Sequence, residues 1–170
     1  MRALFVIGIA VLAGFVLSPL LRADAACAPV PATSSLDDWT DEQVANARLI
    51  ITIGSDRQVP SEGAVIAVAT ALQESGLRNL RGGDRDSIGL FQQRPSQGWG
   101  TPRQLSDPAY QTRKFYDKLL AVDDWQQLKL TEAAQAVQVS AFPNAYAKHT
   151  RAATTLVGAL SGSPACAPEG

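Results

Sequence analysis

Apolar positions in this chain fall into two regimes. Residues 3–17 are an almost unbroken apolar run behind a single basic residue, Arg2. From about residue 36 onward, apolar residues recur every three or four positions between polar ones, the spacing of helices with one buried face. Thr40-Asp-Glu-Gln43 has the form of a capping box and predicts a helix to about Ile53 that stops at Gly54. Pro60-Ser61 opens a second helix that ends at Ser75-Gly76. Asp107-Pro108 is an N-cap followed by proline at the first helical position, and Phe115, Leu119 and Val122 share a face of the third helix. Thr131 caps a fourth helix to about Ala141, and Pro143-Asn144 breaks the chain. A fifth helix then runs to Leu160, with Tyr146, Ala153, Val157 and Leu160 in its stripe. Between the second and third helices, residues 78–102 hold five glycines and two prolines, and Ser87-Ile88-Gly89-Leu90-Phe91 reads as a short strand or hairpin. A polar, glycine-rich insert between helices is where a site is expected.

The pattern thus predicts a mainly α domain over residues 36–160, about five helices around a buried central one, with the insert lining a cleft. Residues 26–35, rich in Pro, Ala, Ser and Thr, read as a linker, and residues 161–170 as a C-terminal tail. Residues 1–25 read as a signal peptide, with a basic start, an apolar middle and an Ala23-Asp24-Ala25 end. An uncleaved anchor is the alternative, since residues 3–21 are just long enough to span a bilayer. Lipid attachment at Cys27 is a third reading, opposed by Asp24 where an aliphatic residue is usual.

Composition narrows the chemistry. The 170 residues carry 15 basic and 16 acidic side chains, a net charge of −1, so the basic excess of a nucleic-acid binder is missing. Cleavage after Ala25 removes Arg2, Arg22 and Asp24 and leaves −2. Two cysteines and one histidine exclude a zinc site built from Cys and His alone. In an oxidising compartment, Cys27 and Cys166, which bracket the domain, suggest one disulfide, with two separate thiols as the alternative. No cofactor or metal is called for, and a monomer is expected.

The second helix carries the strongest chemical candidate. Ala64-Val-Ile-Ala-Val-Ala-Thr-Ala-Leu72 is apolar nearly all round, as in a helix buried on most sides. Glu74 falls on its small-residue face. Desolvation and the negative end of the helix dipole would both raise its pKa, as a general acid requires. A Glu that reaches solvent past the helix end is the competing reading. Asp84 lies ten residues on, either as a second carboxylate for that acid or as a turn residue paired with Arg85. Gln92, Gln93, Arg94 and Trp99 offer amides, a guanidinium and an indole for a polar, ring-shaped ligand, although Trp99 serves equally as an anchor to the core. Ser75 has no apparent base and reads as structural unless it contacts substrate beside Glu74. His149, the sole histidine, reads as an exposed helical residue without a partner.

These residues together resemble the lysozyme-like superfamily, in its soluble lytic transglycosylase and goose-type lysozyme branch. Glu74-Ser75-Gly76, Gly83-Asp84-Arg85 and Gly89-Leu90-Phe91-Gln92 follow in the order that branch uses, with Phe91 replacing a usual Met. The chain also looks like small exported lysozyme-like proteins of actinobacteria. The resemblance implies an α+β lysozyme-like fold and cleavage of the β-1,4 bond between N-acetylmuramic acid and N-acetylglucosamine in peptidoglycan. It implies Glu74 as catalytic acid, Asp84 as an assisting carboxylate and Gln92 in the cleft. The Ala-Tyr-Asn segment of the family is absent; the comparable stretch is Val139-Ser-Ala-Phe-Pro-Asn-Ala-Tyr146, in which Tyr146 is the candidate replacement. A domain that binds wall glycan or a wall partner without cutting it is the other expectation. Either would be secreted and wall-associated, touching the membrane only through its signal peptide.

Overall fold

The computed structural model describes residues 36–140, 142 and 144–162. The signal segment, the linker, most of the tail, Cys27 and Cys166 lie outside the described residues. Within them the protein is mainly helical, with six α-helices and no β-strand.

Helix α1 (Asp41–Asp56) begins at the capping box its sequence announces. Gln43 N–H donates to Thr40 Oγ1 at 3.3 Å, and Thr40 N–H donates to Gln43 Oε1 at 2.9 Å. The helix does not stop at Gly54. A Cβ there would lie 2.7 Å from Tyr116 Oη. The glycine thus lets α1 approach Tyr116, whose hydroxyl donates to Ile50 O at 3.1 Å.

Helix α2 (Ser61–Ser75) is buried along most of its length. Val65, Ile66 and Val68 are fully enclosed, each worth roughly 1.5–3 kcal/mol of burial. That outweighs the propensity cost of β-branched residues in a helix, at most about 0.7 kcal/mol each. α2 ends where Gly76 and Leu77 both turn left-handed, and their N–H groups donate back to Leu72 O and Ala71 O. This paired closure satisfies the last carbonyls and fixes the final turn.

A short helix, α3 (Pro102–Leu105), which the apolar pattern does not predict, has its own capping box between Thr101 and Gln104. Helix α4 (Pro108–Leu119) starts with Asp107 Oδ1 accepting from Ala109 N–H at 2.8 Å. Phe115 and Leu119 are buried, while Val122 lies beyond the helix end. Helix α5 (Leu130–Gln138) begins one residue before the expected cap. Glu132, rather than Thr131, satisfies its entry by accepting from Lys129 N–H. It also ends early, because Val139 turns left-handed at φ 52°. The last helix opens as a 3-10 turn (Ala147–His149) and continues as α6 (Thr150–Ser161). Tyr146 therefore precedes the helix instead of standing in its stripe. α2 packs against α1, α4, α5 and α6, which makes it the centre of the fold.

The glycine-rich insert forms no strand. It folds as a narrow loop closed by one antiparallel bridge, Ile88 to Gln93, with hydrogen bonds of 3.0 and 3.1 Å.

Candidate active site

Three chain segments meet at the C-terminal end of α2: its last turn, the insert, and the end of α5. They enclose an open cleft of about 450 Å³ lined by Glu74, Asp84, Ser87, Gln92, Arg94, Gln97, Trp99, Gln138, Val139 and Ser140.

Glu74 is half-buried in the last turn of α2. Tyr146 Oη donates to its Oε1 at 3.0 Å, and the Gln138 side chain also hydrogen-bonds to it. Burial raises its pKa above the ordinary carboxylate value, while the two hydrogen bonds pull the other way and only partly offset it. Tyr146 is itself buried. Burial first, and then the neighbouring Glu74 charge, push its phenol above the usual range, so it stays protonated and can only donate to the carboxylate. Ser140 adds a hydrogen bond to the same phenol.

Ser75 turns away from the cleft. Its hydroxyl proton is shared between Leu90 O at 2.7 Å and Ala71 O at 3.0 Å, and its oxygen accepts from Arg78 N–H at 3.2 Å. It joins α2 to the insert. Gln93 also departs from the expected ligand contact. Only 1% exposed, it donates to Gln111 O at 3.1 Å in the core. Gln92 closes the tight turn at a left-handed φ of 48°, while Gln93 follows it in the bridge to Ile88, so the two side chains leave the backbone in different directions. Gln92 faces the cleft and donates to Gly89 O at 2.9 Å. A Cβ at Gly83 would overlap the Gln92 amide, so the glycine before Asp84 admits that side chain.

Asp84 lies on the cleft wall with its side chain 92% exposed, 3.9 Å from Arg85 Nε. Arg94 is held by Asp86, whose carboxylate also accepts from Ser96 N–H and Oγ. The Ser96 backbone, then Arg94, hold the Asp86 carboxyl far below its usual range. Trp99 combines both of its expected roles. It is largely buried, Lys118 Nζ sits 3.5 Å from its ring centroid, and it still contributes to the cleft. His149 has a partner after all, Nε2 lying 3.2 Å from Gln73 Oε1. Burial, then Lys148, lower its pKa.

Sequence reasoning missed Gln138, Val139, Ser140 and Ser87 as cleft residues, and Gln111 as the support beneath it. Gln111 Oε1 accepts from Phe91 N–H at 2.9 Å and its amide donates to Leu105 O. No signal marks these residues, since a glutamine on a helix reads the same whether it supports a loop or meets water.

Among known proteins, no family model matches the chain and no curated protein matches it. The chemistry therefore rests on the geometry. A carboxyl whose pKa is raised by burial, with a fixed donor on one oxygen, can deliver a proton from the other when protonated. A second, solvated carboxylate, three glutamines and a guanidinium share the cleft with it. That set suits protonation of a leaving oxygen on a polar ligand.

Proposed function

We propose that this protein is an exported enzyme of the lysozyme-like kind that cleaves peptidoglycan glycan strands at the N-acetylmuramic acid–N-acetylglucosamine β-1,4 bond. The observation that carries the reading is the Glu74 environment. Its carboxyl is half-buried at the cleft, raised in pKa by burial, and fixed by Tyr146 Oη at 3.0 Å. Tyr146 supplies a phenol beside the acid although the Ala-Tyr-Asn segment is missing, which supports an active rather than a merely binding domain.

Glu74 protonates the departing glycosidic oxygen. Positive charge then develops on the sugar ring, and Asp84 is the nearby solvated carboxylate available to stabilise it or to assist water. Attack by water gives a reducing end; attack by the muramic 6-hydroxyl gives an anhydro end. Gln92, Arg94 and Trp99 bind the strand, and Ser75 and Gln93 support the walls. The reading includes a secreted, wall-associated monomer that needs no cofactor.

The test compares the protein with its Glu74→Gln variant on purified peptidoglycan, with soluble fragments identified by mass spectrometry. Glu74-dependent release is expected, and the chemistry of the ends separates hydrolysis from transglycosylation. Equal release by both proteins across several wall preparations removes the enzyme and leaves a wall-binding domain.

A further inference from the structure

Three large apolar side chains are exposed among the described residues: Leu120, Val139 and Phe142. One of them, Val139, lines the cleft with Glu74, and Phe142 is tied to the cleft residue Ser140 by its N–H. Val139 is 79% exposed and lines the cleft; Phe142, three residues on, is 74% exposed. Val139 is also strained, at φ 52° and ψ 47°. A β-branched residue in that region is a true outlier, and glycine would hold the same turn without cost. The backbone around it is pinned. Val139 N–H donates to Gln135 O at 2.8 Å, Gln135 Nε2 to Ser140 O at 2.8 Å, and Phe142 N–H to Ser140 Oγ at 3.1 Å. Folding alone does not call for an apolar, exposed and strained residue at this place, and strain of this kind gathers where a ligand is gripped.

The remaining cleft residues are mostly polar, so the lip differs in chemistry from its surroundings. A sugar ring matches both, with hydroxyls around its edge and C–H bonds on its faces. After loss of residues 1–25 the net charge would be −2, which provides no overall pull on an anionic wall and gives apolar contact a part beside Gln92, Arg94 and Trp99 in holding the strand.

We infer that Val139 and Phe142 form an apolar lip that receives the C–H face of a sugar ring and extends the site beyond the residues around Glu74. The inference rests on the glycan-cleaving reading above and names how the strand is held. Gln138 adjoins the lip and hydrogen-bonds to Glu74, so a ring seated there lies next to the reacting bond. Binding through this lip is insensitive to salt.

The test uses Val139→Gly, Phe142→Ser and the double variant, with Leu120→Ser as a control for exposed apolar surface in general. Cleavage kinetics on purified peptidoglycan are paired with retention on insoluble peptidoglycan in the Glu74→Gln background. The double variant is expected to raise KM about tenfold, the scale of one lost ring contact, with kcat changed less than about threefold. Retention falls by a similar factor at both about 0.05 and 0.5 M salt. Leu120→Ser moves neither. Unchanged KM and retention in the double variant overturn the lip, as does retention that salt abolishes. If Glu74→Gln costs no cleavage but the lip variants still lose retention, the lip stands and the catalytic reading falls. A protein that neither cuts nor binds the wall overturns both.

Discussion

Replacing Tyr146 by Phe removes one oxygen from a buried ring and tests the electrostatics of Glu74 directly. In the wild type the phenol donates to Glu74 Oε1 at 3.0 Å and favours the ionised carboxylate. A hydrogen bond to a charged group is worth about 1.5–3 kcal/mol. The lower end applies, because Gln138 still donates and Glu74 is only partly buried. About 1.4 kcal/mol corresponds to one pH unit. Losing it destabilises the anion, so the Glu74 pKa moves further up. A general acid works while protonated, and its activity falls as pH rises through its pKa. The high-pH limb of the kcat/KM profile should therefore move up by about one unit in Tyr146→Phe. Carbon-detected NMR titration of the Glu74 carboxyl should show the same upward displacement without relying on turnover. A limb and a titration that stay in place, or move down, refute the assignment of Tyr146 as donor to this carboxylate.

Glu74→Gln should stabilise the fold at neutral pH. A carboxyl whose folded pKa is raised favours the native state below its unfolded pKa, and that contribution is lost as pH rises through the folded value. Melting followed by circular dichroism should show a Tm gain of a few degrees near pH 7 that closes near pH 4. Ser75→Ala strips the hydroxyl shared between Leu90 O and Ala71 O, and urea unfolding should register a loss of about 1–3 kcal/mol. Gly54→Ala places a methyl 2.7 Å from Tyr116 Oη, and the same assay should show destabilisation of about 1–3 kcal/mol; an unchanged midpoint means that α1 and α4 can separate freely.

Legibility from sequence followed the range of the interactions. The start of α1, both ends of α2 and the start of α4 are fixed by residues a few positions apart, and Thr40, Pro60, Gly76 and Asp107 declare them. Glu74 was visible as a carboxyl on the small-residue face of a buried helix, because periodicity alone sets that face. Gly54 misled because permissiveness and close packing use the same residue, and the reason for it, Tyr116, lies 62 positions away. The early end of α5 was illegible because Val139 carries none of the usual signals for a left-handed turn. The resting places of Gln92 and Gln93 depend on one bridge that composition cannot reveal. His149 meets Gln73 across 76 positions, beyond the reach of any local rule.

The ties around the cleft have a mechanical consequence. Ser75 ties α2 to Leu90, Gln138 donates to Phe91 O at 2.9 Å, and Gln111 receives Phe91 N–H, so adjacent backbone groups of the insert are clamped from three helices. Phe91 is stacked on Phe115 at 4.8 Å behind them. Opening one wall would require breaking several of these bonds together. The cleft therefore behaves as a die rather than a jaw. Under the proposed function, the clamped insert keeps its shape when a strand arrives, and any adjustment falls to the strand.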